Sequence, residues 1–89
     1  MRNKNSILTI KEYGKVHIHL RELLKQQDMT RSQLAQSIHT RFEVVNRWYQ
    51  DDVERIDADI LARICFVLNC DVQDIICYER PDHPPAPHA

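Results

Sequence analysis

Between Thr30 and Tyr49 the chain reads TRSQLAQSIHTRFEVVNRWY, and this pattern admits few folds. Leu34, Ala35 and Ile38 form an apolar stripe at i, i+1, i+4, and Val45 with Trp48 forms a second at i, i+3. Each spacing places its residues on one face of a helix. Ile38-His39-Thr40-Arg41 lies between the stripes and leaves room for only a tight turn. Two short helices are therefore expected, over residues 31–38 and 41–50. Thr30-Arg31-Ser32-Gln33 has the spacing of a capping box, in which a hydroxyl and a side-chain amide satisfy orphan backbone N–H groups and start a helix. Met29, just ahead of that cap, is placed to staple onto Leu34.

The second helix carries Arg41, Phe42, Glu43, Asn46, Arg47 and Gln50 away from its apolar stripe. A helix that buries one face and offers Arg, Asn and Gln on the other suits the major groove of DNA. The run Leu34-Ala35-Gln36-Ser37-Ile38-His39-Thr40-Arg41-Phe42-Glu43-Val44-Val45-Asn46-Arg47-Trp48 resembles the Cro/phage-repressor-type (XRE) helix-turn-helix family. A second, independent stretch, ILARICFVLNCDVQDII over residues 60–76, is similar to the tail of the same family, so the likeness spans roughly residues 16–78. Three positions depart from the family pattern. The usual turn glycine is His39, the usual apolar residue after it is Thr40, and the usual serine opening the recognition helix is Arg41. His39 is then expected in a left-handed conformation, and Thr40 is placed to cap the following helix.

The resemblance implies an all-α, five-helix phage-repressor-like DNA-binding domain, with room for a small β element from the termini. It implies base reading by Phe42, Glu43, Asn46 and Arg47. Arg47 leads, because Arg can fork onto guanine O6 and N7 for about 1–3 kcal/mol of discrimination. The plainer alternative pairs Arg47 with Glu43 four residues earlier. Asn46 suits adenine or phosphate. Phe42 suits a thymine methyl, a protein partner or the core. Glu43 either accepts from cytosine N4 or signals that this helix avoids DNA, since a carboxylate at the groove meets phosphate repulsion. Phosphate contacts are expected from Arg31, Gln33, Thr40, Arg41 and Gln50, which would position the domain without reading sequence. Trp48 takes an apolar position of the family and should be buried.

The remaining chain divides simply. Residues 1–15 read as an N-terminal arm or hairpin strand, 16–78 as the helix-turn-helix domain, and 79–89 as a disordered Pro/His tail holding all four prolines. Ile7–Ile10 and Val16–Ile18 are β-branched and flank Tyr13-Gly14, a turn signal. A first helix should run from His19 or Leu20 to Gln27, with Leu20, Leu23 and Leu24 inward and Asp28 where relatives carry Gly. After the acidic loop of Asp51, Asp52 and Glu54, Ile56 should plug the core. Asp57 should cap a helix over 58–68 with Ile60, Leu61, Ile64, Cys65 and Leu68 inward, ending at a left-handed Asn69. Asp71–Asp74 should make a single turn, and Ile75–Tyr78 a strand beside Val16–Ile18.

Charge is uneven. Residues 1–50 carry nine Lys and Arg against four Asp and Glu, and residues 51–89 carry three against nine. The basic half holds the helix pair, as expected if one face meets phosphates; Arg2, Lys4 and Lys11 extend it as an arm. The single glycine argues against a phosphate-binding loop. Cys65, Cys70 and Cys77 form no CxxC and read as buried free thiols of a reducing compartment. His17 and His19 match no structural zinc spacing. No catalytic constellation, metal, cofactor or small-molecule site is expected. There is no apolar run long enough to span a membrane, and MRNKNSILTIKEYGK lacks the apolar stretch of a signal peptide. A cytoplasmic regulator is expected, with double-stranded DNA as partner and two-fold pairing into a homodimer, because one short helix reads too few base pairs. A protein-interaction module on the same fold, antitoxin-like or a regulatory partner, is the competing reading.

Overall fold

In a computed structural model the described residues are 13–81. The expected strand Ile7–Ile10, the basic arm Arg2, Lys4 and Lys11, and most of the proline-rich tail lie outside them. The order is β1 (Lys15–Ile18), α1 (Leu20–Gln26), α2 (Arg31–Ser37), α3 (Phe42–Tyr49), α4 (Ala58–Leu68), α5 (Val72–Ile75) and β2 (Ile76–Glu79). Five helices and a small sheet from the two ends of the domain match the expected architecture.

β1 and β2 pair antiparallel, with Val16 opposite Tyr78 and Ile18 opposite Ile76. Gly14 leads into β1 at φ +82°, and a Cβ there would collide with the Glu79 carbonyl oxygen. Only glycine allows so close an approach of two backbones.

The helices begin and end by recognisable devices. The Thr30 hydroxyl accepts from the Gln33 N–H and the Gln33 amide oxygen accepts from the Thr30 N–H, completing the expected box. Asp57 accepts from the N–H groups of Asp59 and Ile60. α3 differs from expectation: its N-cap is Arg41, with no side-chain cap, so Thr40 does not serve that role. Thr40 N–H instead donates to the Ala35 carbonyl and closes the end of α2.

That closure recurs. Asp28, His39, Asp51 and Asn69 all have φ between 53° and 59°. The residue after each donates back across the helix end: Met29 to Leu24, Thr40 to Ala35, Asp52 to Arg47 and Cys70 to Cys65. These are four Schellman-type terminations built without glycine, each with Asp, Asn or His where a left-handed residue is required. The strain is of order 1–2 kcal/mol at a non-glycine site, and short polar side chains tolerate the conformation best.

The core is one cluster: Ile18, Leu20, Leu24, Leu34, Ala35, Ile38, Val45, Trp48, Ile60, Ile64, Leu68 and Ile75. Trp48 is 3% exposed, as expected of its stripe. Leu23, Leu61 and Cys65 are only partly buried at the rim. Ile56 departs from expectation at 39% exposed, because Val53, three residues earlier in the same loop, packs against the core instead. The three cysteines are free and half-buried rather than buried. Burial first, with Cys65 adding to it, pushes the Cys70 thiol up to about 11, so it stays protonated at neutral pH.

Candidate nucleic-acid interface

α3 has three distinct faces. Val45 and Trp48 turn into the core. Glu43, Arg47 and Gln50 are exposed, as are Arg41 and Phe42, the latter at 43%. The third face, Phe42, Asn46 and Tyr49, follows an i, i+4, i+7 line and meets Arg31 from the start of α2. Arg31 Nη1 donates to Asn46 Oδ1 at 2.7 Å, and its guanidinium lies 4.4 Å from the Tyr49 ring centroid and 5.5 Å from that of Phe42.

This geometry sorts the expected site residues. Arg41, Phe42, Glu43 and Arg47 share the exposed surface of α3. Asn46 is half-buried, with its carbonyl oxygen engaged by Arg31. Phe42 belongs neither to the core nor wholly to solvent, since one side of its ring faces Arg31. Arg47 does not pair with Glu43. Its Nε donates to the Asp52 carbonyl at 3.1 Å, leaving the two Nη groups available. Gln33 spends its amide oxygen on the cap and keeps its NH2. The Gln50 amide oxygen accepts from Arg21 Nη2 at 3.3 Å. Thr40 and Arg47 line a depression walled by Val53, Glu54, Arg55 and Asp57.

Two participants escaped the sequence reading. They are Tyr49, on α3, and Arg21, on α1. The Arg21 guanidinium lies 4.8 Å from the Tyr49 centroid, so one ring carries two arginines. The Phe42-Asn46-Tyr49 spacing was the available signal.

The C-terminal end of α3 is fastened to the sheet. Asp51 accepts from the Ile18 N–H at 2.8 Å and from His17 Nδ1 at 2.8 Å, while His17 Nε2 faces Glu79 Oε1 at 2.6 Å. A neutral imidazole has one N–H, so only the protonated ring donates to both carboxylates. The hydrogen bond to Asp51, then that to Glu79, raises the His17 pKa above its ordinary 6.5. Burial pushes the Asp51 carboxyl up, but the bonds from His17 and Ile18 outweigh it and hold Asp51 below its ordinary value. His17 is thus occupied by carboxylates, with the His19 ring centroid 6.5 Å away. Among the described residues, no group of three or more His, Cys, Asp or Glu is gathered to hold a metal, and no helix is long and apolar enough to cross a membrane.

Among curated proteins none matches the chain. Two solved structures resemble it. One is a candidate DNA-binding protein from Bacteroides fragilis, 19% identical over 71% of this chain and all of that one, with a TM-score of 0.64. The other is the transcriptional regulator VanUg, 25% identical over 73% of this chain and 88% of that one, with a TM-score of 0.59. The first likeness is one of fold alone. The family of Cro/C1-type HTH DNA-binding domains matches residues 19–81, and the chain belongs to that family.

Proposed function

We propose that this domain is a sequence-specific DNA-binding transcriptional regulator that lays α3 in the major groove and acts as a homodimer. Arg47 is the leading base reader, with Phe42, Glu43 and Asn46 beside it. Arg31, Gln33, Thr40, Arg41 and Gln50 hold the phosphates on either side. The observation that carries the reading is the surface of α3: Arg41, Phe42, Glu43 and Arg47 are exposed together while Val45 and Trp48 on the same helix are buried. Membership of a DNA-binding family and likeness to a transcriptional regulator support it. Asn46 acts in concert with Arg31 in this reading, since its oxygen is already engaged.

For the homodimer, the open edges of the two-stranded sheet, where Val16 and Tyr78 are exposed opposite one another, offer a surface that a second copy can extend across a two-fold axis. One observation favours the competing reading as a protein-interaction module: Phe66, in the middle of α4, is 86% exposed. Phe66 lines a shallow depression with Ile38, Ala62 and Val67, and a contiguous apolar surface suits a protein partner.

The test uses duplex DNA selected from a random pool. Arg47→Ala should weaken the preferred site by about 1–3 kcal/mol and spare random DNA. Glu43→Gln should raise affinity for random DNA by removing repulsion. If neither variant changes DNA binding while the domain stays folded, α3 does not read DNA and the protein-interaction reading takes its place.

A further inference from the structure

Arg21, Lys25 and Arg31 gather around one depression, lined also by Leu24, Met29, Thr30 and Tyr49. Among the described residues none of the three cations has a carboxylate partner; the ion pairs there are His17 with Asp51 and Glu79, His19 with Glu22, and Arg63 with Asp59. Like charges held this close repel, and salt screens them only beyond about 8 Å at physiological strength. The fold nonetheless orders both guanidinium groups with neutral partners. The Tyr49 ring lies 4.8 Å from Arg21 and 4.4 Å from Arg31. The Gln50 and Asn46 amide oxygens each accept one N–H. An aromatic face and an amide fix an arginine's direction without neutralising its charge. Each guanidinium keeps further N–H groups free, since Arg carries five donors.

We infer that Arg21, Lys25 and Arg31 form a cradle for one DNA backbone phosphate, with Tyr49 and Asn46 as the positioning residues that aim the two guanidinium groups. The inference rests on the DNA-binding reading above and deepens it. It brings the first helix into the interface and gives the Asn46 oxygen the task of holding Arg31. The ligand is a phosphodiester because it must be anionic, reach a shallow site and accept from forked donors. Leu24 and Met29 leave the floor of the depression apolar, so all the attraction comes from its rim.

Fluorescence anisotropy of a labelled duplex, repeated over a series of potassium chloride concentrations, tests it. The wild-type protein should lose affinity steeply with salt. Arg21→Ala and Lys25→Ala should each weaken binding, and the two together should flatten the slope by no more than about one unit, because the three cations share one phosphate. Tyr49→Phe keeps the ring and should bind as wild type. Tyr49→Leu should weaken binding roughly fivefold while circular dichroism shows an intact helix content. A steep wild-type slope with an affinity that Arg21→Ala, Lys25→Ala and the double variant all leave unchanged would overturn the cradle and leave the DNA-binding reading standing. A wild-type protein with no salt dependence would overturn both.

Discussion

At its C-terminal end, α3 is tied at every turn. Asp51 takes the Ile18 N–H and the His17 ring, Arg47 reaches the Asp52 carbonyl, and Gln50 takes a bond from Arg21. At its N-terminal end, Arg41 caps the helix with no side-chain bond, and Phe42 and Glu43 lie exposed. Both ends belong to one eight-residue helix, and the core residues Val45 and Trp48 serve both. The contrast separates the end that the fold holds from the end it leaves open, and Arg47, tied through Nε alone, belongs to both. An element that must present side chains at a fixed angle needs one end immobile and the other uncommitted, and uncommitted polar groups at a surface are the ones a ligand can engage without first breaking a bond.

The comparison breaks altogether if the shared anchor is lost. Trp48→Ala should cost about 3–5 kcal/mol, enough to unfold so small a domain, since it empties the middle of the single core. Urea denaturation followed by circular dichroism measures it, and a variant as stable as wild type would mean that α3 is held by its ends alone.

A smaller effect should follow from untying one end. Asp51→Ala leaves the Ile18 N–H and the His17 ring without their acceptor and should cost about 1–3 kcal/mol. The tie also has a pH signature. His17 has a raised pKa in the fold, so its contribution is complete below its ordinary 6.5 and is lost as pH rises through the folded value. The wild-type urea midpoint should therefore fall through this group as pH rises above the ordinary 6.5, and the fall should shrink in Asp51→Asn. Asp51 has the opposite sign: its own contribution is present above its ordinary 3.8 and disappears as pH drops below that. A midpoint with the same pH dependence in wild type and variant would show that His17 does not fasten the helix.

The smallest effect distinguishes two turns that look alike. His39 and Asp51 both end a helix at positive φ, 56° and 59°. His39 is exposed, and no hydrogen bond or ion pair engages its ring among the described residues. His39→Gly relieves strain and should stabilise by up to about 1 kcal/mol after the unfolded-state cost of glycine. Asp51→Gly relieves the same strain but forfeits both bonds, and should destabilise. Equal effects at the two sites would remove the distinction.

Much of this was legible in residue order. The capping box at Thr30, the left-handed His39 and Asn69, the Asp57 cap and the Trp48 stripe follow from local rules that act within a few residues. So does the strand after α5, which begins one residue later than the apolar run predicts because Ile75 closes the helix. What sequence could not supply are contacts between distant segments. His17 meets Asp51 thirty-four residues away and Glu79 sixty-two away. Arg21 reaches Gln50 across twenty-nine. The choice of Val53 over Ile56 as the core plug depends on where the loop lands, since both are apolar and β-branched. For the interface, the exposed face of α3 was visible from periodicity, while the engagement of Asn46 and Phe42 by Arg31 required α2 and α3 to be packed together.

The most direct test of the account is an amide chemical-shift map of the 15N-labelled protein titrated with its selected duplex. The largest changes are predicted at the proposed DNA-facing surface, Arg31–Gln33 and Arg41–Arg47, with little change at the fastened sheet, Lys15–Ile18 and Ile76–Glu79. Large changes confined to the sheet, with the N-terminal half of α3 unmoved, would contradict it.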